Sequence, residues 1–220
     1  RLRIDSSGRL LLGTTITTQA HGNFDDLILK ASDAGSAGIT IVTGTSNQAT
    51  IAFSDGTSGT DQYRGYVQYS HNGDKLALGA SGDDRLSIDS SGRVLVGHNA
   101  NLSEGCLLQV ARANDNTVEL FGYSANANGA RVNFTKSRNG TIGTNTIVQD
   151  DDTIGELHFR AASGSGYYRV AAIEAEIDGT PSTSSLPGRL IFSTTPAGAL
   201  TQTERMRIHS NGAVSIANTR

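Results

Sequence analysis

Tryptophan is absent from this chain, cysteine and methionine occur once each, and only six tyrosines and six phenylalanines stand among 220 residues. The apolar supply is thin: hydrophobic residues make up 36% of the chain and aromatics 5%. A monomer of this length ordinarily buries about 70% of the surface its unfolded chain exposes. Here glycine, alanine and serine would have to fill much of that interior. An intertwined oligomer relieves the shortage, because sister chains add apolar partners. The single Cys106 excludes an intrachain disulfide and leaves the compartment open. Beside Leu107 and Leu108 it reads as a small buried hydrophobe. No apolar run is long enough for a membrane-spanning helix, and no secretory or lipidation motif is recognisable, so membrane insertion is not expected. Charge is balanced as well. Eighteen Lys and Arg stand against 21 Asp and Glu, for a net charge of −3, without long blocks. That excludes the electrostatic footprint of a nucleic-acid-binding protein.

Catalytic and cofactor signatures are missing too. There is no His-Glu-x-x-His, no Gly-x-Ser-x-Gly elbow before a helix and no phosphate-binding loop, so neither enzyme activity nor a cofactor is expected. The histidines His21, His71, His98, His158 and His209 are dispersed, with no cysteine partner at ligand spacing. His158 alternates with Leu157 and Phe159 and so falls on a polar strand face. Nothing longer than about one turn shows helical periodicity.

What is present is one phrase written three times. It runs Arg1-Leu2-Arg3-Ile4-Asp5-Ser6-Ser7-Gly8-Arg9-Leu10-Leu11-Leu12-Gly13, returns over Arg85–Gly97, and returns again over Arg205–Ala217. In each copy apolar residues alternate on both sides of a turn: Leu2 and Ile4 with Leu10 and Leu12, Leu86 and Ile88 with Val94 and Val96, Met206 and Ile208 with Val214 and Ile216. This is the period of a strand with one buried face, arginine and serine taking the other. The links Asp-Ser-Ser-Gly, Asp-Ser-Ser-Gly and His-Ser-Asn-Gly place a hydrogen-bonding side chain early and a glycine late, as a short hairpin loop requires. Each copy predicts a β-hairpin. His209 occupies the turn position of Asp5 and Asp89.

The chain is therefore read as all-β, built from two related modules closed by repeated hairpins: 1–25 as the end of a preceding repeat, 26–104 as module one and 105–220 as module two. Module one is expected to hold strands at Leu27–Leu29, Ile39–Val42, Thr50–Phe53, Tyr66–Tyr69 and Lys75–Leu78. Module two repeats that order at Leu107–Val110, Thr117–Leu120, Arg131–Phe134, Val170–Ile177 and Arg189–Phe192. It adds a strand at Glu156–Phe159 and the loop Asp178–Gly188, which holds Pro181 and Pro187. Glycine, at about 12% against a usual share of about 7%, suits close approach of backbones.

Three groups of residues are candidates for chemistry. Tyr63, Tyr66, Tyr69, Tyr167 and Tyr168 are the densest aromatics and offer faces for stacking on sugar rings. Tyr66 and Tyr69 point to opposite faces of a regular strand, and core or inter-chain packing is the competing reading. Glu174 and Glu176 are two carboxylates on one strand face, about 7 Å apart. That overlaps the spacing of inverting glycoside hydrolases, but adjacent outward glutamates are also ordinary surface. Asp150, Asp151 and Asp152 are either a calcium-binding cluster or a polar turn, and no resident metal is expected. The sequons at Asn101, Asn133 and Asn139 matter only where a host glycosylates.

The order and spacing of four pieces, Val148-Gln149-Asp150-Asp151-Asp152-Thr153-Ile154-Gly155, Ile173–Thr180, Leu186–Thr195 and Glu204-Arg205-Met206-Arg207-Ile208, resemble the repeat found in tail-fibre proteins of tailed bacteriophages, notably cyanobacterial and other marine phages. Such blocks often precede a C-terminal intramolecular chaperone. The resemblance covers about 148–217, and the other two hairpins fit its closing phrase. It implies an elongated, intertwined homotrimer, as a β-prism, a triple β-helix or linked sandwiches. It also implies a place in the virion, outside the cell, with other tail proteins and host surface polysaccharide as partners. The shared phrase is scaffold and implies no active site. A non-viral extracellular filament of like modules has the same signature. Because the sequence opens inside a repeat and without an initiator methionine, it is read as a piece of a longer protein.

Overall fold

The computed structural model describes residues 2–12, 26–31, 35–102, 105–113 and 118–217; Arg1, Gly13, His21 and Thr117 lie outside them. Apart from a short 3₁₀ turn at Gly59–Tyr63, the regular structure of the described residues is β, as the sequence led one to expect. By contacts the chain divides into two compact units, Arg1–Glu119 and Leu120–Arg220.

In the first unit, β1 (Leu2–Ile4), β2 (Leu10–Leu12) and β3 (Leu27–Leu29) form one sheet. A second, six-stranded sheet runs in chain order through β4 (Gln48–Phe53), β5 (Gly65–Ser70), β6 (Lys75–Ala80), β7 (Asp83–Ile88), β8 (Val94–Val96) and β9 (Leu108–Val110). The second unit is a five-stranded antiparallel meander of β10 (Thr153–Ala162), β11 (Tyr167–Ile177), β12 (Gly188–Thr194), β13 (Thr203–Ile208) and β14 (Val214–Ile216).

All three repeated phrases are hairpins, and they share one register: Leu2↔Leu12, Leu86↔Val96 and Met206↔Ile216 are equivalent pairs. The turns close alike, with Gly8, Gly92 and Gly212 at φ +82°, +76° and +82°, a region open to glycine because it has no Cβ. In the first two copies the aspartate organises the loop. Asp5 accepts the N–H groups of Ser7 and Arg9 at 2.9 and 3.0 Å and the Arg9 Nε at 2.7 Å; Asp89 does the same with Ser91 and Arg93. In the third copy His209 leaves that role vacant. Asn211 Oδ1 takes the Ala213 N–H at 2.9 Å, in the place of the Arg9 and Arg93 N–H groups, and Asp178 Oδ2 adds a bond from the Ser210 N–H at 2.8 Å.

The first two hairpins are followed by a strand that pairs in parallel, β3 beside β2 and β9 beside β8. This corrects the expectation that Leu107–Val110 opens the next module, since β9 extends the sheet of the first unit. Three expected strands also fail to form. Ile39–Val42, Val118–Leu120 and Arg131–Phe134 have strand alternation, yet no ladder partner is assigned to them, and their large apolar side chains are exposed. Alternation reports a preference for extended backbone with one apolar face, but a ladder also needs a neighbouring edge. Cys106, expected to be buried, is exposed on the crossover between β8 and β9.

The pairing registers assemble the apolar residues into continuous rows. In the six-stranded sheet Ile51, Val67, Leu78, Leu86, Val96 and Val110 lie side by side across all six strands. In the five-stranded sheet the row is Leu157, Ile173, Phe192, Met206 and Ile216. Burial then reverses the expected sense. Leu2 and Ile4, on the face expected to be covered, are 68% and 70% exposed, whereas Leu11 on the opposite face is 0% exposed. Likewise Ser87 and Leu95 are buried while their alternating neighbours Leu86, Ile88, Val94 and Val96 are only partly so. The reason is that the chain's own crossover folds over the less apolar face. Gln109, beside Leu95 in the ladder, accepts the Leu102 N–H at 2.9 Å and donates to Asn101 Oδ1 at 2.7 Å. The richer face has no such cover.

Aromatic rings fill the places where glycine leaves space. Tyr66 lies directly across from Gly79, and a Cβ on that glycine would overlap its ring. Phe134 covers Gly155 in the same way in the second unit. The buried Tyr66 hydroxyl donates to Asp84 Oδ1 at 2.6 Å, and Lys75 Nζ reaches Asp84 Oδ2 at 2.7 Å. Burial foremost, and then the Asp84 carboxylate, push the Tyr66 hydroxyl up to about 12.

The phrase 148–217 is held by an electrostatic cluster. Arg189, its side chain 10% exposed, bridges Glu176 (2.6 Å), Asp178 (3.4 Å) and Asp151. Asp152 is held by Arg138 at 2.9 Å, Lys136 at 3.3 Å and the Gln149 N–H at 2.8 Å. Arg138 first, and then the Gln149 N–H, hold the Asp152 carboxyl well below the usual carboxylate range; the Ser210 N–H, helped by Arg189, lowers Asp178 to about 2.

Two predictions follow from this packing. Gly79→Ala is expected to lower unfolding free energy in denaturant titration by about 1–3 kcal/mol, the usual effect of overpacking. Gly38→Ala, where an added Cβ meets nothing within 4 Å, should stay within about 0.5 kcal/mol. Because Asp152 and Asp178 have folded pKa values below the unfolded 3.8, their contribution is complete above pH ~4 and is lost as pH falls toward ~2. Stability measured from pH 5 to 2 should decline, and the decline should flatten in Asp152→Asn.

Candidate functional site

An open groove of the second unit lies at the β10–β11 hairpin. The two strands are joined by a tight turn in which the Ser163 N–H donates to Gly166 O at 2.9 Å, with Gly164 at φ +91°. A bulge between Phe159 and Arg160 re-aims the strand end. The resulting groove, about 560 Å³, is lined by Arg160, Tyr167, Tyr168 and Arg169 on the strands, and by Leu200 and Thr201 on the returning loop. Its inner end is closed by His158 and Gln202. Arg160 is braced by a 2.8 Å bond from Nη2 to Tyr167 O.

Beyond that inner end lies a polar cluster. Glu156 and His158 are two residues apart on β10, and Glu174 stands directly across from Glu156 on β11. The side-chain ligand atoms of these three all lie within 4.8 Å of one another. Gln202 Nε2 donates to Glu174 Oε1 at 3.0 Å.

The five tyrosines do not form one surface. Tyr66 is buried against Gly79, 9% exposed, with its hydroxyl engaged by Asp84. Tyr63 is open, its ring 6.4 Å from that of Tyr66. Tyr69 is also open, its hydroxyl 3.1 Å from Asp74 Oδ1 and its ring edge-on to His71 at 5.0 Å. Tyr66 and Tyr69 fall on opposite faces of β5, as their spacing required. In the second unit Tyr167 and Tyr168 both border the groove. Glu174 and Glu176 share a strand face but have different partners: Gln202 for the first and Arg189 for the second. The three aspartates are likewise separately engaged, Asp150 by the Gly179 N–H at 2.6 Å, Asp151 by Arg189 and Asp152 by Arg138.

Sequence reading missed Glu156, Arg160, Arg169 and Gln202, and it placed His158 on a polar face without partners. The available signal was the Glu156-x-His158-x-Arg160 alternation, which puts three polar groups on one face. Its meeting with Glu174 depends on a hairpin register that no local pattern specifies.

No protein-family model matches the chain, and none of the curated proteins matches it. Solved structures do match. The carboxy-terminal domain of the bacteriophage T5 L-shaped tail fibre superposes with a TM-score of 0.69 at 11% identity, covering 87% of this chain and 90% of that one. The same domain with its intra-molecular chaperone domain gives a TM-score of 0.70 at 12% identity, covering 87% of this chain and 62% of that one. At such identities the likeness is one of fold, and the chain has the all-β fold of that tail-fibre domain.

Proposed function

We propose that the chain is a structural segment of a phage tail fibre, located in the virion, where it forms a trimeric shaft that links the particle to a host-recognition tip. The observation that carries this reading is the pair of incompletely covered apolar rows. Among the described residues the buried apolar set is small, with Leu11, Leu95, Ala172, Ile177 and Ile191 as members, whereas Ile51, Phe53, Leu78, Leu157, Phe159 and Ile216 are exposed. Burying one such side chain is worth about 1.5–3 kcal/mol, so a chain that leaves its apolar rows partly open gains by meeting copies of itself. The unpaired extended segments at Ile39–Val42 and Arg131–Phe134 fit the same role as strands awaiting an inter-chain edge. Threefold assembly is taken from the resemblance to tail fibres. Modules of 26–104 and 105–220, after the end of a preceding repeat at 1–25, are the proposed sequence repeat of the shaft, the opening strand of the second being paired into the sheet of the first, and neighbouring tail proteins are the proposed partners.

The role is scaffold rather than catalysis. A glycosidase pair needs two carboxyls open to one substrate, and here Glu176 is closed off by Arg189, its side chain 16% exposed. One second reading has a specific observation behind it. The groove of Tyr167, Tyr168, Arg160 and Arg169 offers aromatic faces beside two cations, a combination suited to an acidic host polysaccharide.

Residues 1–220, expressed with a cleavable trimerisation tag, should remain trimeric in sedimentation velocity after cleavage. Leu78→Glu and Phe192→Glu should each dissociate the trimer, and a folded wild-type monomer would remove the shaft reading. For the groove, Tyr168→Ala is expected to weaken binding of an acidic polysaccharide about three- to tenfold, matching about 0.5–1.5 kcal/mol for one ring. Tyr63→Ala should leave that binding unchanged, and equal loss in both variants would argue against this groove.

A further inference from the structure

We propose that Glu156, His158 and Glu174 form a binding site for one zinc-like divalent transition-metal ion, supported by Gln202. The proposal goes beyond the shaft reading and does not depend on it. Its starting point is the ladder. Glu156 and Glu174 are directly opposed on adjacent antiparallel strands, an arrangement in which like charges destabilise the pair. Among the described residues no lysine or arginine is paired with either carboxylate, whereas Asp151, Asp152, Glu176, Asp178 and Glu204 of this phrase meet Arg189, Arg138, Lys136 or Arg207. The opposed pair is thus left to another cation.

His158 supplies a second, independent observation. Its Nε2 is buried and lies 3.1 Å from Glu156 Oε2, yet out of line for a hydrogen bond, so this ring nitrogen has no hydrogen-bond partner. A buried nitrogen of this kind beside two carboxylates has the disposition of a metal ligand. The dimensions agree. Zinc bonds of about 2.0–2.2 Å in a tetrahedron set ligand atoms about 3.4 Å apart. The three groups already lie within 4.8 Å of one another, a gap that side-chain rotation closes without moving the strands. Two carboxylates and a neutral imidazole match a 2+ ion in charge. One nitrogen and two oxygen donors favour zinc over calcium or magnesium, which require six or more oxygens.

Gln202 completes the arrangement from the returning loop. Its Nε2 holds the Glu174 carboxylate at 3.0 Å, the orienting contact expected of a group behind a ligand. Its Oε1 is buried without a hydrogen-bond partner and is available as a further donor atom. The ion would staple β10 to β11 and both strands to the 195–202 loop, next to the groove.

The test is calorimetric titration of residues 1–220 with ZnCl₂ alone, beside CaCl₂ and MgCl₂. One zinc per chain is expected, with no comparable calcium or magnesium heat. His158→Ala and Glu174→Gln should each weaken zinc binding by about 10–100-fold, and His71→Ala should not. Zinc should raise the melting temperature of the wild type and not of His158→Ala. X-ray absorption should report one imidazole nitrogen among oxygen ligands. Far-UV circular dichroism identifies any variant that fails to fold, and Gln202→Ala, on the loop, provides a further variant, expected to weaken zinc binding. Absence of stoichiometric zinc binding, or binding that survives both ligand substitutions, would overturn the proposal.

Discussion

The rest of this structure depends on an apolar sheet face that the chain covers only in part. Strand alternation and antiparallel register act together: once Leu157 faces Ile173, Phe192, Met206 and Ile216 must fall in line. The opposite face then receives the crossovers and return loops. On that face Ser87, Leu95, Ala172 and Ser193 are buried. With tryptophan absent and aromatics scarce, the chain economises further by laying Tyr66 over Gly79 and Phe134 over Gly155. Each ring then covers backbone that a larger residue would hold apart.

The sequence phrase that resembles phage tail fibres has a physical centre: several of its charged members meet at Arg189. Arg189 ties Asp151, Glu176 and Asp178 together, and Asp178 also holds the Ser210 N–H of the closing hairpin. Burial pulls the Arg189 guanidinium down, yet the Asp151 and Glu176 carboxylates raise it above its ordinary value. The contrast between hairpins shows why. The first two turns carry their own aspartate and arginine and close alone. The third has His209 and Ala213 instead; Asn211 Oδ1 accepts the Ala213 N–H within the turn, and Asp178 of the β11–β12 connection adds a bond from the Ser210 N–H. The same backbone is reached by local contacts alone twice, and once by a local contact reinforced from a distant residue.

The hairpins were legible in the sequence because strand, turn and glycine signals coincide within thirteen residues, and all three agree in register. The meander of the second unit was legible for the same reason: each strand meets its chain neighbour. What was not legible involves partners distant in sequence. The parallel addition of β9 to β8 moved Leu108–Val110 out of the unit that its position suggested. Ile39–Val42 and Arg131–Phe134 read as strands from their own side chains, but a ladder depends on an edge that local pattern cannot supply. The burial sense of the first two copies of the hairpin was inverted because periodicity says which residues share a face and not what covers it. The tyrosines scattered for a similar reason, since the hairpin register that sets Tyr66 against Gly79 and aligns Tyr168 with Ala161 lies outside any single motif.

Glu174 and Glu176 show how little spacing alone decides. Both lie on β11, two residues apart, on one face, and a strand pattern treats them as equivalent. Register separates them. Glu176 is opposite Arg189 on β12 and becomes part of a compensated cluster. Glu174 is opposite Glu156 on β10 and Ile191 on β12, so its neighbours add charge of the same sign and an apolar group. One carboxylate is therefore consumed by the scaffold, while the other has Gln202 as its hydrogen-bond partner and stands in one cluster with Glu156 and His158. A chemical capacity in this fold arises where the ladder fails to compensate itself, and the ladder does so at Glu156 and Glu174.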